Sequence, residues 1–83
     1  MWMAVDRTEG NYVILIDDQG NIHQLTQQEY LATAGLPPVE SHVLRCELTN
    51  GQITSAVYDP EETQRRLDAA RARLERLKQR SKP

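Results

Sequence analysis

The sequence predicts a mainly β protein with a C-terminal α-helix: a small five-stranded antiparallel barrel, SH3-like or OB-like, followed by one amphipathic helix. The chain has 83 residues, which is enough for one small domain. Short runs rich in Val, Ile and Leu alternate with turn signals as far as residue 58, and helix-forming residues with an apolar repeat follow. We therefore divide the chain into a barrel (1–58), a helix (59–80) and a disordered tail (81–83).

Three strands and two turns are predicted in the first part of the barrel. Trp2 to Arg7 forms the first strand, and Glu9-Gly10-Asn11 forms a tight turn in which Gly and Asn are free to take positive φ. Tyr12 to Asp17 has the composition of a buried strand. Asp18-Gln19-Gly20-Asn21 then forms a hairpin turn that leads into the third strand, Ile22 to Leu25.

A short helix is predicted from Thr26 to Ala34. Thr26 followed by Glu29 fits a capping box, and Gly35 fits a helix stop. The residues that we expect to face inward are Tyr30, Leu31 and Ala34. Leu36-Pro37-Pro38 cannot continue a helix and is predicted to be extended loop.

The last two strands are predicted on either side of Asn50-Gly51, a strong two-residue hairpin signal. They run from His42 to Leu48 and from Gln52 to Tyr58. Alternation directs Leu44, Cys46 and Leu48 inward on the first of these strands, and it places Ile53, Ser55 and Val57 on one face of the second.

The C-terminal helix has a clear predicted start at Asp59-Pro60-Glu61-Glu62. Asp is a good N-cap, Pro suits the first helical position, and both glutamates lie where the helix dipole favours negative charge. Glu61 with Arg65 and Glu62 with Arg66 have the spacing of ion pairs one turn apart.

A narrow apolar seam runs along this helix, as in a coiled coil. The seam positions are Thr63, Leu67, Ala70, Leu74 and Leu77. The flanking heptad positions are all basic: Arg66, Arg71, Arg73, Lys78 and Arg80. In a parallel self-dimer Arg73 would face Lys78 of the other copy, and an antiparallel pair is no better, so the flanks oppose self-pairing. We therefore expect the helix to lie on an acidic surface.

The barrel region supplies a nearby acidic surface. Residues 1–58 contain seven acidic and two basic side chains, a net charge of −5, whereas residues 59–83 carry +3. The simplest interpretation is that the helix caps its own barrel. About twenty helical residues run roughly 30 Å, however, and short strands span about 17–20 Å. An end that overhangs near Leu74 and Leu77 would instead bind an acidic partner, or be covered by domain swapping or dimerisation.

The segment from Val5 to Leu15 resembles a small bacterial family of domains of unknown function, numbered three thousand and six, whose members open with a similar strand-turn-strand. Further matching pieces are Asp18-Gln19-Gly20, Leu36-Pro37, Val43-Leu44, and Asp59-Pro60-Glu61-Glu62-Thr63 with Arg65-Arg66. Ser41-His42 departs from the Gly-Asp usual before the fourth strand, and this helix is richer in Arg. The resemblance implies an accessory role beside metallo-β-lactamase-like hydrolases and supplies no catalytic residues.

Catalytic and metal chemistry are not indicated. His42 and Cys46 share a strand face and His23 is a third conceivable ligand, but the spacing of closed zinc sites is missing, so we predict no metal and no cofactor. Cys46 has the pattern of an inert buried thiol, and no convergent polar set indicates an enzyme. The cluster of Asp6, Arg7 and Glu9 predicts a local ion-paired turn or, alternatively, a polar docking point.

The predicted function is a non-catalytic accessory module that binds a protein partner, or itself, through the helix and the acidic barrel. The predicted contact residues are Leu67, Ala70, Leu74, Leu77, Arg66, Arg71, Arg73 and Lys78. The alternative is a small-barrel nucleic-acid-binding protein that uses the Arg-rich helix, which the acidic barrel disfavours because it repels phosphates. No segment predicts a membrane span or signal peptide, and we expect a cytoplasmic protein.

Overall fold

The computed structural model describes residues 1–80, with side chains through Lys78, and so leaves the predicted tail outside the described residues. Five antiparallel strands form a curled half-barrel, and a long helix follows it. The elements are β1 (Trp2–Glu9), β2 (Tyr12–Asp17), β3 (Ile22–Thr26), α1 (Gln27–Ala34), β4 (Val43–Thr49), β5 (Gln52–Tyr58) and α2 (Pro60–Arg80). The predicted class, mainly β with a C-terminal helix, is confirmed.

The strand order of the sheet is β3-β2-β1-β4-β5, and every neighbouring pair is antiparallel. The two edge strands, β3 and β5, therefore run in the same direction. They are not hydrogen-bonded to each other in the sheet, and α1 packs against both. The sheet is consequently a half-barrel whose open side is partly covered by α1.

The core lies on the concave side of the sheet. It is formed by Met3, Val5, Val13, Leu15, Tyr30, Leu44, Cys46 and Ala56, with Leu25, Ala34 and Ile53 packed against it. Tyr30 is the contribution of α1, and its side chain is fully buried. Burial of this aliphatic cluster is the main favourable term in folding a domain of this size.

A bulge changes which residues of β5 face the core. Glu47 pairs with Ser55 and Leu48 pairs with Ile53, so Thr54 is an extra residue between them. One extra residue reverses the alternation, and Ala56 is buried whereas Val57 is 61% exposed. The placing of Ser55 and Val57 on the face of Ile53 is therefore wrong. Leu48 pairs with Ile53 and so keeps the face of Leu44 and Cys46, but it lies near the end of β4 and is 36% exposed.

The helix α1 has the predicted capping residues. The Glu29 N–H donates to Thr26 Oγ1 at 3.1 Å, the Thr26 N–H donates to Glu29 Oε1 at 3.0 Å, and Gly35 ends the helix at φ 75°. Tyr30 and Ala34 face inward as predicted. Leu31 does not, because a short helix over one open side of a half-barrel buries only a narrow stripe; its side chain is 53% exposed.

Two turn predictions are refined by the backbone angles. Asn50 and Gly51 both have positive φ, 52° and 79°, as the two-residue hairpin signal requires. In the first turn Gly10 alone takes positive φ, while Asn11 does not. The fourth strand begins at Val43, one residue later than predicted.

Neither helix in the described part of the chain combines the length and the apolar character needed to cross a membrane.

Candidate functional site

The first turn of α2 is capped as the sequence predicts. Asp59 Oδ1 accepts a hydrogen bond from the Glu62 N–H at 3.0 Å, which satisfies one of the amide groups that a helix start leaves without a partner. Its other oxygen, Oδ2, accepts from the indole Nε1 of Trp2 at 3.3 Å. The N-cap therefore also ties α2 to the first strand.

The same turn is joined to β4 through buried polar groups. The Asp59 N–H donates to the Val43 carbonyl at 2.8 Å, and the Val43 N–H donates to Thr63 Oγ1 at 2.8 Å. Thr63 is buried, and its hydroxyl donates to the Asp59 carbonyl at 2.8 Å. The first seam position is thus a polar joint that continues the backbone pairing of β4.

Arg66 joins α2 to the barrel through charged groups. Its guanidinium donates to Glu62 at 2.9 Å and to Asp18, in the β2–β3 turn, at 3.0 Å. It also lies over the Trp2 ring, 5.7 Å from the ring centroid. Here, at one point, a basic flank of the seam does meet the acidic barrel.

Glu62 is a buried carboxylate held by two arginines. Arg65 Nε donates to Glu62 Oε2 at 2.8 Å, and Arg66 binds the other oxygen. These hydrogen bonds lower the pKa of the Glu62 carboxyl to about 2. The predicted Glu62–Arg66 pair is confirmed; Arg65, which was expected to pair with Glu61, binds Glu62 instead, because Glu62 is turned toward the barrel.

Beyond Arg66 the helix leaves the barrel. Only β4 among the described elements lies close to the backbone of α2, and the molecule is 51 Å long but about 21–25 Å across. Leu67 is 41% exposed, Leu74 59% and Leu77 54%. The interpretation in which α2 caps its own barrel is therefore wrong beyond Arg66, because the stripe that would pack inward faces water.

The basic flanks of this distal half are also exposed. Arg71, Arg73 and Lys78 all face solvent. Within the described part of the chain, no salt bridge joins Arg71 or Arg73 to an acidic group of the barrel. The expectation that the flanks lie on an acidic surface of the same barrel holds for Arg66 and fails for these two arginines.

A cleft of about 320 Å³ opens where α2 diverges from the convex face of the sheet. Leu67 and Ala70 line its helix side, and Ala4 and Ile16 line its sheet side. The remaining lining residues are Val5, Asp6, Ser41, Val43 and Arg66. No sequence pattern indicates that Ala4 and Ile16 line a cleft, because their role depends on the angle at which the helix leaves the sheet.

Asp6, Arg7 and Glu9 form the predicted local ion pairs, but within strand β1 and not in a turn. Arg7 Nε donates to Glu9 Oε1 at 2.8 Å, and Arg7 also pairs with Asp6. Asp6 is the extra residue of a bulge in β1, since Val5 pairs with Leu15 and Arg7 with Ile14. Only Asp6 of the three reaches the cleft, so the structure brings one of the predicted docking residues to the seam.

The residues considered for metal or nucleophilic chemistry are placed apart. His23 Nε2 lies within hydrogen-bond distance of Asp17 Oδ2, at 2.9 Å. His42 stacks on Tyr58 with ring centroids 4.3 Å apart. Burial raises the pKa of the Cys46 thiol, which keeps it protonated and unreactive. No group of three candidate ligands converges anywhere in the described residues.

Comparison of the chain with family models, with curated proteins and with solved structures found no match. The resemblance to the family numbered three thousand and six therefore stays a prediction.

Proposed function

We propose that this protein is a non-catalytic interaction module that binds an acidic, amphipathic helix of a partner protein along the seam of α2. The observation that carries the proposal is the exposure of Leu74 on a helix whose base is fixed to the barrel by buried hydrogen bonds. A helix held in this way presents its seam at a defined position. Leucine repeated at coiled-coil spacing is the usual contact residue between two helices.

Charge selects the partner. From Arg66 onward the flanking positions of the seam are basic, so a helix with glutamate or aspartate at its own flanks is attracted, whereas a second copy of α2 is repelled. The net charge of residues 59–83 is +3, which also steers an acidic segment toward this end of the molecule.

We also propose that the protein works in the cytoplasm and that its ligand is a protein. A single buried cysteine fits a protein of the reducing cytoplasm. Nucleic acid is the competing ligand for an arginine-rich helix, but Asp68 and Glu75 interrupt the positive charge of α2.

The test uses a peptide designed from the chain itself. The probe is residues 60–80 with the five basic flanking residues replaced by glutamate, so that it keeps the leucine seam and reverses the flanks. Binding of the labelled probe to the full chain is measured by fluorescence anisotropy. We expect saturable binding that weakens as salt is raised, because the attraction is screened.

The matched variants are Leu74→Gln and Ala72→Gln, which introduce the same residue on opposite faces of α2. We expect Leu74→Gln to weaken the binding of the probe at least tenfold and Ala72→Gln to leave it unchanged. Equal binding by the two variants overturns the proposal. So does a stable dimer of the unaltered protein in light scattering, or tighter binding of duplex DNA than of the probe.

A further inference from the structure

The cleft at the base of α2 adds a second element to the surface on which the proposed function rests. We propose that it receives one apolar side chain from the terminal turn of the partner helix. The partner is then a helix with a leucine-like residue at the end that reaches the barrel.

The shape of the cleft comes from small residues placed opposite each other. Ala4 on β1 and Ala70 on α2 line facing walls, and the volume of about 320 Å³ lies between them. Leu67 and Ile16 complete the apolar lining on the two sides. The two alanines therefore leave room where larger side chains would fill the cleft.

The cleft is continuous with the exposed seam. Leu67 and Ala70 are seam positions and cleft residues at once, and Leu74 follows Ala70 after one helical turn. A helix that lies on Leu74 and runs toward the barrel reaches the cleft about one turn later. Beyond that point the sheet blocks its path, so it must end or turn there.

The charges at the rim indicate an apolar rather than a charged occupant. Asp6 is paired with Arg7, and Arg66 is paired with Glu62 and Asp18. Because Asp6 and Arg66 already have ion-pair partners, a charged group that entered the cleft would lose its hydrating water without gaining a new ion pair. An apolar side chain suffers no such loss.

The test fills the cleft by a substitution that leaves the exposed leucines of α2 unaltered. Ala4→Leu fills it from the sheet side, and Ala32→Leu, at an exposed position of α1, is the matched control. In the antiparallel direction, the glutamate-flanked probe defined above places its leucines opposite Leu67 and Ala70 and ends within about one turn of the cleft. We expect Ala4→Leu to weaken the binding of the probe at least tenfold and Ala32→Leu to leave it unchanged; thermal unfolding checks that both variants fold.

A second variant, Ala70→Leu, should change the affinity for the probe in opposite directions, depending on whether the partner occupies the cleft or contacts the seam alone. If the cleft is occupied, the added leucine blocks it and binding weakens; if the partner touches the seam alone, the leucine adds contact and binding tightens. Undiminished binding by Ala4→Leu together with tighter binding by Ala70→Leu overturns the cleft and leaves the proposed function standing. Failure of the unaltered protein to bind the probe overturns both.

Discussion

The two halves of α2 differ in how they use their side chains. From Pro60 to Arg66 the helix is attached by polar groups: a capped first turn, a buried threonine and a carboxylate held by two arginines. After Arg66 the helix carries the leucines that an amphipathic helix normally buries, and they face water. The interactions that attach α2 are therefore separate from the apolar residues it displays.

This separation indicates what the leucines are for. A helix that was selected only to cover its own barrel would bury its leucines, because burial of each one stabilises the fold by about 1.5–3 kcal/mol. Here the barrel gains nothing from Leu74. Attaching the base with hydrogen bonds leaves Leu67, Ala70 and Leu74 exposed for contact with another molecule.

Acid should release the attached half of α2. The pKa values of Glu62 and Asp17 are lowered to about 2 in the folded protein, from ordinary values of 4.5 and 3.8. Groups with lowered pKa values contribute stability that is present above pH 4.5 and is lost as the pH falls toward 2. The ten Lys and Arg side chains stay positive and repel one another there. We expect the fluorescence of Trp2, next to Asp59 and Arg66, to change between these limits.

In this acid titration, the variant Glu62→Gln distinguishes the contribution of α2 to stability from that of the barrel. It removes the α2 contribution and leaves that of Asp17, which bonds His23 in the hairpin. We expect the variant to be less stable than the unaltered protein at pH 6 and the difference to shrink toward pH 2. A constant difference across this range would show that Glu62 does not attach α2 through its charge.

Thr63→Val should lower the free energy of unfolding by about 1–3 kcal/mol. Valine has the shape of threonine but cannot accept the hydrogen bond from the buried Val43 N–H, which is left without a partner. Urea unfolding followed by tryptophan fluorescence measures the loss. Thr8→Val, at an exposed position of β1, is the control and should change stability by less than about 0.5 kcal/mol. Equal effects would mean that the polar joint does not hold the helix.

The sequence was sufficient to predict features that depend on near neighbours. The bounds of β2 and β5, the capping box of Thr26 and Glu29, and the N-cap at Asp59 follow from side-chain chemistry within a few residues. These predictions hold because each turn or cap is satisfied locally.

Features that depend on the curvature of the sheet escaped prediction. No glycine or proline at Thr54 or beside it indicates the bulge in the sequence. The bulge places Val57 on the opposite face of the strand from the predicted one. Thr63, which the heptad spacing places in the seam, forms part of the joint to β4 that orients α2. The basic flanks and the seam were predicted, whereas the cleft, with Ala4, required the angle between helix and sheet.

Two arginines of α2 offer a direct comparison between its halves. Arg66→Ala removes contacts with Asp18, Glu62 and Trp2, and should lower the free energy of unfolding by about 1 kcal/mol, since the side chain is partly in water and its ion pairs are screened. Arg73→Ala should leave stability unchanged and weaken binding of the glutamate-flanked probe. Chemical unfolding and anisotropy measure the two effects. An Arg73→Ala variant that is destabilised as much as Arg66→Ala would contradict the division of α2.

The smallest expected effect on folding is that of a leucine. Leu74→Gln should change the free energy of unfolding by less than about 0.5 kcal/mol, because the side chain is 59% exposed and glutamine is as good a helix former as leucine. Leu44→Ala, in the fully buried core, should cost about 2–5 kcal/mol in the same urea titration. If Leu74→Gln instead cost as much as a core substitution, the seam would have to pack on the barrel in solution, and no surface would remain for the partner helix.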